Sequence, residues 1–388
     1  MVGATPANFF ASPLRTNYQA MSRPRPAKPA HELHCEQALT RDPVNGPAIR
    51  VNSFAMKVFT AADLADDYLE NATVAVLGYG NQGHAHALNL RDSGTRVVVG
   101  AREGGPSALR ARSDNFEVLE TADATAAADV VAVLLPDEIQ AYVFEREIAP
   151  SLRNDACLVF AHGFAVAFDG IQIPSGHDVV LVAPKAQGHF VRSEFVAGRG
   201  VPCMLGIGAD ASGKAQYKAL SYAGRIGCLR SGAIATTFRE EAITDLFGEQ
   251  AVLCGGVPEL IKAAFDTLVA RGYAPEVAYI ECLQELKIIA DLMYDGGLHY
   301  MRTHISRTAA WGSFTSGERL ITAETRRALA SMLDDIESGK FARQWIEEAR
   351  AGQTHLDARI SEESLHEIES AGREARSLMN SPTERKKT

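Results

Sequence analysis

Two pairs of carboxylates in the second half of the chain stand four residues apart. Asp245 and Glu249 form the first pair, and Glu281 and Glu285 form the second. On an α-helix this spacing places both side chains of a pair on one face. Such a face could bind a ligand, or it could simply face solvent. The sequence around them is largely apolar, however, and carboxylates in apolar surroundings usually have a partner. Four carboxylates on two facing helices would bind hard divalent cations such as Mg²⁺, which prefers oxygen ligands.

The segment that precedes these helices alternates strands with helices, as in a doubly wound α/β sheet. A short apolar strand at residues 73–77 leads directly into a G-x-G-x-x-G turn and a helix, and another strand follows at residues 96–100. In this context the glycines permit a tight turn, close approach of a pyrophosphate and close helix–strand packing. The turn predicted to bind a dinucleotide consists of Gly78, Tyr79, Gly80, Asn81, Gln82 and Gly83.

The residues after the second strand of this unit determine whether NAD or NADP is bound. NAD-binding proteins usually place an acidic residue there for the ribose 2′-hydroxyl. Arg102 and Ser107 could instead bind a 2′-phosphate, which favours NADP. Glu103 is the counter-evidence, and we interpret it as pointing to solvent. The sequence therefore predicts NADPH as the cofactor.

Two more polar residues directly follow predicted strands of the same sheet. His162 comes after the strand at residues 156–161, and Lys185 follows the strand at residues 178–183 and Pro184. Ligands bind beyond the carboxyl ends of the strands in a doubly wound sheet, so both residues are candidates for the active site. Either residue could instead be an ordinary loop residue.

From about residue 238 the hydrophobic pattern becomes helical. The predicted helices cover residues 239–255, 258–271, 275–295, 299–309, 322–338, 341–351 and about 360–377. We therefore predict an α/β Rossmann-type domain at residues 56–237, an all-α domain at residues 238–352, and a C-terminal helix with a flexible tail at residues 353–388. Residues 1–55 are rich in Pro, Asn, Arg and Ala and predict a disordered extension, with an organellar transit peptide as the alternative.

Composition excludes several classes of protein. The net charge of -9, with no basic stripe before the last residues, argues against nucleic-acid binding. No apolar run is long enough to cross a bilayer. The six cysteines are scattered without a C-x-x-C motif, which is typical of reduced core residues in a cytoplasmic protein.

Several long motifs, taken together, resemble the ketol-acid reductoisomerase family, in its short-chain class with a single, knotted helical domain. They stand in the family's order and lie at residues 78–90, 136–138, 161–164, 183–185, 245–250 and 281–287. The resemblance spans residues 56 to about 351 and implies an enzyme of branched-chain amino-acid biosynthesis. With two Mg²⁺ ions it would shift an alkyl group in a 2-acetyl-2-hydroxy acid, such as acetolactate or acetohydroxybutyrate. NADPH would then reduce the product to a 2,3-dihydroxy acid.

The resemblance also implies roles for individual residues. The family's metal ligands match Asp245, Glu249, Glu281 and Glu285, the later pair completing the site across a dimer interface. His162 and Lys185 match the family's active-site histidine and lysine, and Ser306 matches its substrate-binding serine. Alkyl migration begins with the loss of a hydroxyl proton, which Glu285, as a further catalytic residue, or a metal-bound water could take. The cofactor contacts match Tyr79, Gly80, Asn81, Gln82, Arg102, Ser107, Asp137, Glu138, Ile139, Gln140 and Gly188.

The chain departs from the family's usual motifs around this predicted site. Ala186 and Gln187 follow Lys185 where Gly and Pro are usual, and His304 and Arg307 flank the serine at 306. These changes leave open a paralogue with a shifted substrate or with the reductase step alone. A non-catalytic nucleotide-binding protein is the third alternative, but it would have no use for four clustered acids.

Overall fold

The computed structural model describes residues 56–64, 67–168 and 170–379. The predicted disorder of residues 1–55, the transit-peptide alternative and the end of the predicted tail therefore fall outside the described residues. Within the described ranges, no helix is both long enough and apolar enough to cross a membrane.

One sheet with flanking helices makes up the first part of the described chain. Its strands are β1 (Val58–Phe59), β2 (Thr73–Leu77), β3 (Arg96–Gly100), β4 (Glu117–Leu119), β5 (Val130–Val133), β6 (Cys157–Phe160), β7 (Asp178–Pro184), β8 (Cys203–Ala209) and β9 (Ala233–Thr236). They lie in the order β1-β9-β8-β7-β6-β5-β2-β3-β4. The central pairs are parallel, whereas β7 with β8 and β1 with β9 are antiparallel, so the Rossmann-type sheet is mixed.

The sheet forms because its central strands are short apolar runs that are buried on both faces, as parallel strands are. Successive residues of β2 point to opposite faces. Val74 and Val76 pack in one hydrophobic cluster, and Ala75 and Leu77 pack in another on the opposite face. Helices therefore cover both faces. They are α1 (Asn81–Asp92), α2 (Pro106–Ser113), α3 (Thr121–Ala126), α4 (Asp137–Val143), α5 (Phe164–Ala167), α6 (Gly188–Val196) and α7 (Ala215–Arg225).

The second part of the described chain is helical, as predicted. Its helices are α8 (Phe238–Gly248), α9 (Gly256–Val269), α10 (Pro275–Tyr279), α11 (Leu286–His304), α12 (Arg307–Leu320), α13 (Ala323–Glu337), α14 (Lys340–Arg350), α15 (Thr354–Glu363) and α16 (Glu367–Met379). Wider π-helical turns follow α8 at Glu249–Leu253 and α10 at Ile280–Gln284. Each acidic pair thus has one member in a π-turn, Glu249 in the first and Glu281 in the second, and such turns are frequent at functional sites.

The break predicted after residue 295 is present, because Gly297 has a non-helical backbone with a φ of 80° and a ψ of -179°, although α11 resumes beyond it. Other helix boundaries differ from the prediction. The helix predicted at residues 299–309 ends at His304, and α12 begins at Arg307, after the Ser306 cap, and continues to Leu320. The single helix predicted at about 360–377 is two helices, α15 and α16. The His366 ring accepts a hydrogen bond from the backbone N–H of Ile368, which satisfies a donor at the start of α16.

Candidate active site

Glu241 in the first part of α8 joins the polar residues that follow β6 and β7. Its side chain is only 1% exposed. One carboxylate oxygen, Oε1, accepts a hydrogen bond from Lys185 Nζ at 2.6 Å. The other, Oε2, accepts from the backbone N–H of Gly163 at 2.7 Å and lies 3.1 Å from His162 Nδ1. Glu241 therefore fixes both catalytic candidates at the carboxyl edge of the sheet.

Asp245 lies one helical turn beyond Glu241 and shares the same partners. Lys185 Nζ donates to its Oδ1 at 2.7 Å, and His162 Nδ1 lies 3.6 Å from its Oδ2. Over the described ranges, His162, Glu241 and Asp245 are the group of possible metal ligands whose ligand atoms all lie within 4.8 Å of one another. The structure thus brings together three of the predicted site residues, with Glu241 between them.

Local sequence explains why α8 presents these acids to the sheet. The Thr237 hydroxyl caps the helix by accepting a hydrogen bond from the backbone N–H of Glu240. Acidic residues in the first turn are stabilised by the helix dipole. A Cβ at Gly163 would lie 2.1 Å from the carbonyl oxygen of Phe238, so only glycine lets the two elements approach so closely. An apolar cluster then holds α8 against its neighbours; it consists of Phe164, Leu246, Ile336 and Ala342.

Burial and charge act in opposite directions on the central groups. Burial lowers the pKa of His162, but the hydrogen bond and charge of Glu241 outweigh it and raise that pKa. Burial likewise opposes the charged form of Lys185, while Glu241 and Asp245 raise its pKa above the usual value. The same contacts hold the pKa of Glu241 below its usual value although burial would raise it. The cluster therefore favours an ionised carboxylate between two proton-bearing groups.

Two more acids extend the negative charge of this region. Burial raises the pKa of Glu249, and the nearby charge of Asp245 raises it further. Burial raises the pKa of Asp137 to about 6, against the opposing charge of His162 and with added repulsion from Glu138 and Glu249. A surplus of crowded carboxylate oxygens suits a hard divalent cation, so the donor set present fits Mg²⁺.

The remaining predicted ligands do not join this cluster within one chain. Glu281 lies in the π-turn after α10 and Glu285 lies directly before α11, and both side chains are exposed. Ser306 is exposed as well, and its hydroxyl caps α12 by accepting from the backbone N–H of Ala309 at 3.0 Å. The hydroxyl can still donate a hydrogen bond to a ligand.

The glycine-rich turn lies between β2 and α1, where β2 is flanked by β3 and β5. In a doubly wound sheet this reversal of strand order is where a dinucleotide binds. Gly78 has a φ of 92°, and a Cβ at Gly83 would lie 2.1 Å from the Gly78 carbonyl oxygen. A Cβ at Gly188 would lie 1.9 Å from the carbonyl oxygen of Asn81, so the loop after Lys185 packs directly on the turn.

Two glutamines border this crevice with unused acceptors. Gln82 donates from Nε2 to the Ala186 carbonyl at 2.9 Å, and Gln140 donates to the Leu135 carbonyl at 2.8 Å. The buried amide oxygen of each has no hydrogen-bond partner among the described residues. Buried polar atoms are normally satisfied, so these oxygens fit a bound group that donates hydrogen bonds, such as a carboxamide or ribose hydroxyl.

Two residues near the predicted binding site of the cofactor's adenosine, Tyr79 and Glu103, already have side-chain partners within the protein. Tyr79 is buried, and its hydroxyl donates to Asp114 at 2.9 Å, so its side chain is already engaged. Glu103 is 68% exposed, as predicted, but its carboxylate is paired with Arg112 at 2.5 Å. Arg102 and Ser107 stand in the loop after β3 and in the first turn of α2, where a 2′-phosphate would be bound.

Two family models match the chain over most of its length. The NADPH-binding domain of acetohydroxy acid isomeroreductase matches residues 68–232, and the ketol-acid reductoisomerase C-terminal domain matches residues 238–381. The chain belongs to the ketol-acid reductoisomerase family. The resemblance read from the motifs is thereby confirmed. The protein is an enzyme that uses a nicotinamide cofactor and acts in branched-chain amino-acid biosynthesis.

Solved structures agree with this assignment. An NADH-preferring ketol-acid reductoisomerase from an uncultured archean is 40% identical with a TM-score of 0.80, over 83% of this chain and 99% of that one. A putative oxidoreductase from Jannaschia sp. is 16% identical with a TM-score of 0.53, over 69% of this chain and 96% of that one. A semialdehyde dehydrogenase NAD-binding protein from Cupriavidus necator is 18% identical with a TM-score of 0.54, over 71% of this chain and 99% of that one. The last two share the fold alone.

Glu241 is the site residue that sequence reasoning missed. A signal was present in the sequence, because Glu241 precedes Asp245 by the same four-residue spacing that separates Asp245 from Glu249, and Glu241 and Asp245 therefore share one face of α8. Its partners lie in other elements, at residues 162, 163 and 185, and only the fold brings them together.

Proposed function

We propose that this chain binds Mg²⁺ through Asp245 and Glu249 and converts a 2-acetyl-2-hydroxy acid to a 2,3-dihydroxy acid. Acetolactate and acetohydroxybutyrate are the proposed substrates. The observation that carries the proposal is the row of carboxylates on α8 that meets Lys185 and His162 beyond the strand ends, beside the cofactor crevice.

The chemistry needs an ionised substrate hydroxyl and a polarised carbonyl. Divalent cations bound at Asp245 and Glu249 would supply both effects. The alkyl group would then leave the hydroxyl-bearing carbon with its bonding electrons and bond to the adjacent carbonyl carbon. The first oxygen loses its proton and becomes a ketone, and the second gains a proton and becomes a hydroxyl. Glu285 is the proposed acceptor of the first proton.

The reduction uses residues that are already in place. The cofactor would deliver a hydride to the new ketone carbon, and the ketone oxygen would take up a proton. His162 and Lys185 are the proposed donors, since the carboxylate of Glu241 stabilises the protonated form of both. Glu241 touches neither cofactor nor substrate in this scheme; it orients the two donors.

A second copy of the chain is proposed to complete the site. Glu281, Glu285 and Ser306 lie on or beside helices that bury little within one chain: α11 buries only Met301, and α12 buries none of its residues. These helices expose large apolar side chains, including Ile288, Trp311 and Phe314. Exposed apolar surface of this kind marks an interface between proteins. A homodimer would cover it and carry the missing acids to the cluster on α8.

NADPH is the proposed cofactor. Arg102 and Ser107 support it, and the pairing of Glu103 with Arg112 removes the most evident acceptor for a ribose 2′-hydroxyl. NADH is the alternative, because the relative that is 40% identical is described as NADH-preferring. The ratio of kcat/KM for the two reduced cofactors decides between them.

Turnover of acetolactate tests the function directly. The purified chain with Mg²⁺ and NADPH should consume the cofactor, as followed by absorbance, and removal of Mg²⁺ by a chelator should stop the reaction. Asp245→Asn should abolish turnover, whereas Asp334→Asn, an exposed acid on α13, should leave it unchanged. Full activity of Asp245→Asn would refute the metal assignment. Reduction of a 2-keto-3-hydroxy acid without turnover of acetolactate would instead favour a reductase-only paralogue.

A further inference from the structure

The turn between α14 and α15 holds a glutamine in a backbone conformation that favours glycine. Gln353 has a φ of 58° and a ψ of 25°, and it directly follows Gly352 with a φ of 90°. In the described part of the chain, Asn115 is the other non-glycine residue with a positive φ. Glycine would adopt this conformation without the steric cost that a side chain brings. A strained residue of this kind invites the question of what its side chain does.

The turn itself does not require the glutamine side chain. Gln353 occupies the N-cap position of α15, yet its side chain makes no capping hydrogen bond. Glu348 performs that task from α14, because its Oε1 accepts from the backbone N–H groups of His355 at 2.8 Å and Leu356 at 3.1 Å. The first orphan donors of α15 are thus satisfied by another residue.

The side chain of Gln353 reaches the first turn of α4 instead. Its Nε2 donates to Glu138 Oε1 at 3.1 Å, across a sequence separation of 215 residues, and both residues are partly buried. Glu138 lies in the first turn of α4, directly after β5, beside the point where the strand order reverses. The same turn contains Gln140, whose buried amide oxygen has no partner among the described residues.

We propose that Gln353 is a positioning residue for the cofactor: it braces the turn at residues 137–140 from the helical part of the chain. The inference rests on the proposed function in one respect, namely that this turn contacts the bound dinucleotide. A hydrogen bond to a carboxylate is stronger than one between neutral groups, so it can hold the turn in its binding conformation before the cofactor arrives.

Two substitutions separate positioning from a purely structural role. Gln353→Gly removes the side chain and relieves the backbone, and Gln353→Asn keeps an amide that tolerates positive φ but is one methylene too short to reach Glu138. Neither change should lower the thermal midpoint of unfolding. Both should raise the Kd of NADPH, measured by titration of cofactor fluorescence, by roughly three- to tenfold. Gln353→Glu keeps a side chain long enough to reach Glu138 but places two carboxylates together. The Kd of NADPH for this variant should be at least as high as for the glycine and asparagine variants.

The outcomes are distinct. Higher Kd values for the glycine and asparagine variants at an unchanged unfolding midpoint support the inference. A Kd within twofold of the wild-type value for both variants overturns it. A raised Kd that accompanies a lowered unfolding midpoint also overturns it, since the residue would then serve the fold in general. If the unsubstituted chain binds neither NADPH nor NADH, the proposed function fails first and on its own account.

Discussion

Glu241→Gln tests whether one buried carboxylate organises the site. The amide is nearly isosteric, and its carbonyl oxygen can still accept the hydrogen bond from the Gly163 N–H. Its NH₂ group then faces Lys185 Nζ, a donor that lies 2.6 Å from Oε1 in the native site. The substitution therefore replaces a charge-assisted bond by two opposed donors while leaving the helix and its packing in place.

The expected loss in the free energy of unfolding depends on how exposed the partners of Glu241 are. Hydrogen bonds to a charged group contribute about 1.5–3 kcal/mol each, and Glu241 makes such bonds to Lys185 and, from 3.1 Å, to His162. Lys185 is 29% exposed and retains Asp245, so water and that carboxylate recover part of the loss. Removal of one partner from a buried ion pair costs about 3–5 kcal/mol. Because Lys185 is partly solvated and keeps Asp245, we expect the free energy of unfolding to fall by about 2–4 kcal/mol.

A double-mutant cycle isolates the pair. Glu241→Gln, Lys185→Met and the double variant would be unfolded in urea without metal ions, and the coupling free energy should be at least about 1 kcal/mol. Glu240→Gln is the matched control on the same helix turn; its side chain is exposed, and its effect should stay within about 0.5 kcal/mol. A coupling indistinguishable from zero would refute the view that Glu241 and Lys185 act as a unit.

Further predictions concern pH, packing and cofactor choice. Complete burial lowers the pKa of His86 from 6.5 to about 4, so the unfolded state binds the proton first as the pH falls. The free energy of unfolding should therefore decrease between pH 6.5 and pH 4. Urea unfolding at these two pH values checks this, and His86→Gln should make the free energy of unfolding less dependent on pH. Gly188→Ala should weaken NADPH binding at least tenfold, because the added methyl would lie 1.9 Å from the Asn81 carbonyl oxygen, and an unchanged Kd by fluorescence titration would contradict that packing. Glu103→Ala should free Arg112 for a 2′-phosphate and shift the kcat/KM ratio towards NADPH by roughly tenfold; no shift would show that the pair has no part in selection.

Local patterns were sufficient for much of the fold. A strand that leads into G-x-G-x-x-G specifies its own turn and helix, because the constraint is between residues adjacent in sequence. The acids at positions 245 and 249 likewise share a helix face through their spacing alone. Together with the other motifs, these two signals supported the family assignment, which the comparisons confirmed.

Contacts between distant residues were beyond reach of such patterns. Glu241 meets Lys185 across 56 residues and Gln353 meets Glu138 across 215, so neither pairing leaves a trace in local spacing. The separation of α15 from α16 follows from packing, since Ile368 and Ala371 dock on a cluster with Phe265 that fixes the direction of α16. A helical pattern by itself gives no sign of that break.

The central claim is that carboxylates from two copies of the chain form one metal site. It is tested most directly by a heterodimer, purified through two different tags, that pairs one copy carrying Asp245→Asn with one copy carrying Glu285→Gln. Each substitution alone should give an inactive homodimer, whereas the heterodimer retains one unaltered site and should turn over acetolactate at about half the wild-type rate. A heterodimer as inactive as its parents would contradict the shared site.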